Sequence, residues 1–155
     1  MSKSVKRVRA ALLDAGLRDT IVEMPSSTRT AADAASACGC ELDQIVKSLI
    51  FTTQDGRFHL LLVPGGAQAA PGMAATLIGE PIGRADPAEI RTRTGFAIGG
   101  VAPIGHLCEV TALMDPRFFD FDTVWAAAGT PRHVFSIAPD ALRALTQARV
   151  EAITA

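Results

Sequence analysis

The 155-residue chain is short of aromatic residues, lysine, paired cysteines and long apolar runs, and each shortage closes off a class of protein. No uninterrupted apolar stretch approaches the ~20 residues that cross a bilayer as a helix, so no membrane partner is expected. The basic first residues lead into an amphipathic segment over 8–17 and not into a signal-peptide core, which points to a cytoplasmic protein. Cys38, Cys40 and Cys108 are odd in number, and no CxxC pair or helically spaced histidine pair accompanies them. Neither a disulfide framework nor a zinc site follows, and reduced, partly buried thiols are the expectation. Fifteen basic residues against sixteen acidic ones leave a net charge of −1, which excludes a protein that coats DNA through massed phosphate contacts. Lys3, Lys6, Arg7, Arg9 and Arg18 cluster early; they read first as a solvated helix face, with a local basic surface as the alternative.

What is present describes a globular chain. Hydrophobic residues make up 48%, but 27 of them are alanine and only eight residues are aromatic, so the core must be aliphatic and closely packed. Charged residues at 20% and a positive mean hydropathy exclude intrinsic disorder. The length suits one domain over residues 1–155, large enough to bury roughly 70% of its unfolded surface without a staple.

Apolar residues at Val5, Val8, Leu12, Leu13 and Leu17 follow a helical period, and Gly16 sits near its end. A short strand is expected over 21–24. Thr30 is placed to cap a helix over 31–37, with Gly39 at its C-terminal cap and a helical turn at 41–45. Residues 46–53 and 57–63 read as strands of a hairpin turning at Asp55-Gly56. Helices are expected over 71–78 and 87–94, the second opened by Asp86-Pro87 and closed by Gly95. A strand-like run over 107–114 follows, then a hairpin of 123–128 with 133–138, then a helix over 140–148. Hairpins outnumber strand–helix–strand crossovers, which predicts an α+β fold: a mixed, largely antiparallel, barrel-like sheet flanked by helices.

Three features could carry chemistry. Lys47 is the only lysine beyond residue 6, and strand alternation puts it on the apolar face of Ile45, Leu49 and Phe51. An ammonium is costly there unless paired, so the position is a site or a strand end; the competing reading is a lysine whose stem snorkels over the sheet edge. The segment Gly99-Gly100-Val101-Ala102-Pro103 brings backbone close to any ligand, and its consecutive N–H groups could form an anion nest or oxyanion hole. It lacks the spacing of a Walker loop or a dinucleotide fingerprint. His106 and Cys108 share a face if 107–114 is a strand, which permits a Cys–His pair, although core packing of Cys108 is the simpler account.

Together the segments Ser27-Thr28-Arg29-Thr30-Ala31-Ala32-Asp33, Gln44-Ile45-Val46-Lys47-Ser48-Leu49-Ile50-Phe51 and Gly99–Gly105 resemble the YbaK/ProX family, in the right order and over nearly the whole chain. Gly129, His133-Val134-Phe135 and the closing Pro139-Asp140-Ala141-Leu142 also fit. The resemblance implies an aminoacyl-tRNA deacylase similar to the editing domain of bacterial prolyl-tRNA synthetases, with a mixed β-barrel flanked by helices. It implies that Lys47, Gly99, Gly100 and Val101 carry the reaction and that Thr30, Ser48, Pro103 and His133 bind substrate. The partner implied is the acceptor end of an aminoacyl-tRNA, most readily a misacylated tRNA-Pro, with a synthetase as a further partner; no cofactor, metal or DNA enters. Two rival classes are a non-catalytic tRNA- or synthetase-binding module and a thiol hydrolase using Cys108.

Overall fold

The computed structural model describes residues 2–28 and 30–155. Arg29 of the motif lies outside the described residues. Among the described residues, five α-helices form where capping chemistry or proline marks them. Helix α1 (Lys3–Asp14) starts at Ser2, whose hydroxyl accepts the Val5 N–H, and buries the stripe Val5, Val8 and Leu12. Helix α2 (Ala31–Cys38) is capped by Thr30, whose hydroxyl accepts the Asp33 N–H at 3.0 Å, and ends at Gly39 with φ of 67°. Helices α3 (Pro71–Ile78), α4 (Pro87–Thr94) and α5 (Pro139–Thr146) all begin on proline, which is preorganised for the first helical position. The expected helix over 140–148 stops earlier, because Gln147 turns to φ of 54° and releases the chain into a strand.

Eight strands make one mixed sheet: β1 (Val22–Glu23), β2 (Ile45–Thr53), β3 (Phe58–Pro64), β4 (Ile82–Arg84), β5 (Thr111–Met114), β6 (Val124–Ala127), β7 (His133–Ile137) and β8 (Arg149–Val150). Their order is β1-β7-β6-β2-β3-β5-β8, with β4 also on β2. The β2–β3 and β6–β7 hairpins are antiparallel as the turn residues require, while β2–β6, β3–β5 and β5–β8 pair in parallel. The α+β architecture and its flanking helices are those expected. The run over 107–114 is shorter than expected, with only its last four residues in the sheet. The Leu107 N–H donates to Thr94 O at 3.0 Å, which ties this stretch to the end of α4 and withholds it from the ladder.

Alternation along the strands builds two cores. One face carries Val46, Ile50, Leu60, Leu62 and Met114 into the main core beneath α1, α4 and α5. The other carries Phe51, Leu61, Val63 and Leu113 against α3, and Ile45 against Ala34 and Ala35 of α2. Lys47 falls on this second face, in the interval between the α2 and α3 clusters.

The sheet has a seam at that place. Along one edge β2 pairs with β3 from Val46 to Thr52. Along the other, β6 takes only Ile45 and Val46, and β4 takes only Phe51 to Thr53. Among the described residues, Lys47, Ser48 and Leu49 have no strand partner on that edge.

Candidate active site

The seam opens into a cleft of two compartments. The smaller, about 270 Å³, lies between α2, the start of β2 and the β6–β7 hairpin. The larger, about 660 Å³, lies between β2, β4 and the starts of α3 and α4. Both are lined by Lys47, Ser48, Leu49, Ile98 and Val101, so the unpaired stretch of β2 is the floor where they meet. That edge position explains how neighbouring residues of one strand line the same cleft although they belong to opposite faces.

Lys47 donates from Nζ to the Ala67 carbonyl at 2.5 Å. Burial pulls its ammonium below the usual lysine range, and the carboxylate of Asp43 partly offsets this. Asp43 is itself held by the Gly66 N–H at 2.9 Å and Arg117 Nε at 3.2 Å. The Ser48 hydroxyl is buried without a hydrogen-bond partner, an arrangement that costs stability unless a ligand supplies the bond. Among the described residues Lys47 is the one charged side chain lining the smaller compartment, and Arg84 is the only other in the larger. No Asp, Glu, His or Cys among them lines either compartment. Nor do three such side chains come together anywhere among the described residues to hold a metal ion.

The glycine segment forms the tip of a loop over 95–105. Phe96, Ala102 and Ile104 root it in the main core, while Ile98 stands 59% exposed at the lip of both compartments. Gly99 has φ of 94°, and the Gly100 N–H closes a turn onto Ala97 O at 3.0 Å. The Val101 N–H makes no hydrogen bond among the described residues. A Cβ on Gly100 would lie 2.7 Å from Thr130 Cα and 2.9 Å from Gly129 C and O, so the loop packs backbone to backbone on the β6–β7 turn.

A family profile described as the aminoacyl-tRNA editing domain matches residues 25–145. The chain belongs to that family. A crystal structure of a candidate trans-editing enzyme for prolyl tRNA synthetase is 45% identical, with a TM-score of 0.93 over 100% of this chain and 99% of that one. The crystal structure of hypothetical protein APE2540 is 26% identical, with a TM-score of 0.89 over 96% and 99% of the two chains. The uncharacterized protein YwhH of Bacillus subtilis (strain 168) is 26% identical over 95% of this chain and 94% of its own. The editing function expected from the sequence is that of the family.

Of the residues singled out in this editing domain's sequence, the structure gathers Thr30, Lys47, Ser48, Gly99 and Val101 around the smaller compartment. Gly100 sits behind the wall as a packing glycine. Pro103 lies on a separate cavity of about 290 Å³ that also borders His106, Cys108 and Gln147. His133 does not line the cleft; its Nδ1 meets Thr130 Oγ1 at 2.6 Å, and its Nε2 lies 4.0 Å from Glu23. Cys108 is likewise outside the cleft, burial pushes its thiol up, and His106 offers it no hydrogen bond because neither ring nitrogen has a partner. The shared face imagined for that pair required a strand, and residues 106–108 are not one. Trp125, Ile98 and Arg84 line the cleft and were not expected to. The chain's single Trp was a signal for the first, and an isoleucine directly before the Gly99-Gly100 pair for the second.

Proposed function

We propose that this editing domain acts in trans to hydrolyse the 3′-aminoacyl ester of mischarged tRNA, with misacylated tRNA-Pro as its substrate. The carrying observation is the chemistry of the cleft: a half-buried lysine and an unpartnered buried hydroxyl at the junction of two compartments, with no acidic or imidazole side chain among the described residues that line them. Such a lining suits a ligand that brings its own anionic and hydrogen-accepting groups. The smaller compartment takes the aminoacyl group against Ala31, Ala34 and Trp125. The larger takes the terminal adenosine, with Arg84 toward its phosphate.

Water attacks the acyl carbon, and the carbonyl becomes a tetrahedral oxyanion. Collapse breaks the bond to the ribose oxygen, which leaves with a proton, giving a free amino acid and deacylated tRNA. The Val101 N–H is the available oxyanion donor, and Lys47 holds the acyl carbonyl or the adjoining nucleotide in place. With no carboxylate or imidazole among the described residues that line the cleft, a hydroxyl of the substrate ribose takes part in the proton transfer.

A panel of misacylated tRNAs offered to wild type, Lys47→Ala and Cys108→Ala tests this reading. Wild type and Cys108→Ala should deacylate at least one member equally, and Lys47→Ala should lose on the order of 10²-fold or more in turnover, the scale of losing a transition-state contact, at near-native melting temperature. Lys47→Arg should not restore it, because a planar fork does not replace a compact ammonium. Deacylation of no charged tRNA would favour a binding module, and loss confined to Cys108→Ala would favour a thiol enzyme.

A further inference from the structure

Helix α1 precedes the segment that matches the editing family, yet one turn of it grips both walls of the smaller compartment. Arg7 Nε donates to Gly105 O at 3.0 Å and its terminal nitrogen to Gly95 O at 2.8 Å, so one guanidinium bridges the two feet of the loop that presents Ile98, Gly99 and Val101. Its Cζ lies 4.9 Å over the Phe96 ring, which roots the same loop. One turn earlier, Ser4 Oγ donates to Gly129 O at 2.8 Å in the β6–β7 turn. The approach is close on both sides. A Cβ on Gly129 would meet Ser4 C at 2.8 Å, and one on Gly105 would meet Val8 N at 3.2 Å. The two gripped segments then touch each other, Gly100 against Gly129 and Thr130.

We infer that Arg7 and Ser4 are positioning residues that set the width of the acyl compartment by fixing the 95–105 loop against the β6–β7 hairpin. Gly99 and Val101 face Trp125, Ala127 and Val134 across that compartment, and both sides are referenced to one helical turn. The guanidinium suits the task because its rigid fork satisfies two carbonyls at once, which an ammonium on a flexible stem cannot do in the same geometry. The inference rests on the deacylase reading for its catalytic consequence but not for the grip itself.

The test uses the full chain with Arg7→Ala, Arg7→Lys and Ser4→Ala, read by hydrogen exchange and by single-turnover deacylation of tRNAs carrying acyl groups of graded size. Arg7→Ala should speed exchange in peptides covering 95–105 while leaving the β2–β3 hairpin unchanged. Turnover of the preferred acyl group should fall about 10–100-fold per folded molecule, as expected when a reacting group is misplaced by an ångström or less, and the preference between small and large acyl groups should narrow. Arg7→Lys should recover part of the loss, and Ser4→Ala should show the same narrowing more weakly. Unchanged exchange in the loop, or faster exchange with unchanged turnover and size preference, would overturn the inference. If Arg7→Ala fails to fold, Arg7→Lys and Ser4→Ala decide on the same criteria. A wild type that deacylates nothing overturns the deacylase reading, and the grip is then judged on exchange alone.

Discussion

Two neighbouring glycines at the tip of the 95–105 loop are required for different reasons. Gly99 needs its left-handed backbone at φ of 94°, with ordinary space beyond it, since the nearest atom to an added Cβ is Pro131 Cγ at 3.6 Å. Gly100 needs room, because the Thr130 and Gly129 backbone stands where its Cβ would be. Gly99→Ala should therefore cost about 1–2 kcal/mol of local strain with the loop still seated. Gly100→Ala should cost about 1–3 kcal/mol through overpacking and also push the loop off the β6–β7 turn. Melting temperature and turnover measured on one preparation distinguish them. A Gly100→Ala protein of native stability would refute the packing account. The Gly100 N–H is committed to Ala97 O, whereas the N–H of its neighbour Val101, a residue lining the cleft, makes no hydrogen bond among the described residues.

At the level of elements, α2 carries one side of the smaller compartment and hangs on its cap. Thr30→Ala removes the bond to the Asp33 N–H and should cost about 1 kcal/mol in denaturant unfolding, whereas Thr30→Ser should retain most of it. A Thr30→Ser protein as unstable as Thr30→Ala would show that the hydroxyl is not the cap. This helix also shows what a sequence discloses. Threonine before the helix, glycine after it, and Asp55-Gly56 between apolar runs are local signals, and the elements they mark stand at or within a residue or two of the expected places. The two-residue β8 and three-residue β4 carry no such signal, since each exists only because a distant strand offers an edge. Lys47 was conspicuous as a cation among apolar residues. Arg7 was not, because on a basic helix it looks like one solvated charge among several, and only the fold turns it toward two carbonyls. Pro103 and His133 were named by resemblance, and the structure sets both outside the cleft.

For the molecule as a whole, two imidazoles with buried ring nitrogens are expected to weaken the fold in acid. Burial holds His106 at about 4, reinforced by the nearby Arg7 charge; Phe96 packs on it edge-on at 5.1 Å. His59, 4% exposed and likewise without a partner on either ring nitrogen, is lowered mainly by burial. A base whose value falls on folding takes up its proton first in the unfolded chain. Stability is thus full above pH 6.5 and declines as pH drops toward the folded values, by ~3 kcal/mol for His106 alone. Urea midpoints measured between pH 7.5 and 4.5 should fall in that window, and His106→Leu should flatten the fall. A wild-type midpoint that does not move across it would contradict the burial assignment. Carboxylates such as Asp19, held low by the Ile21 backbone and Arg9, lose their contribution only from about pH 5 downward, so the upper part of the window reports the imidazoles.

The parallel pairing of β2 with β6 has a kinetic meaning. The β2–β3 hairpin closes over a few residues and can form early, but the wall opposite Lys47 arrives only when a strand some eighty positions later returns to Ile45 and Val46. Closing so long a loop is entropically slow compared with zipping a hairpin, which makes such pairings late events. Lys47 is in place before the smaller compartment is closed. A nascent or partly refolded chain is therefore expected to present the cation without the pocket, whose far wall closes with the late pairing.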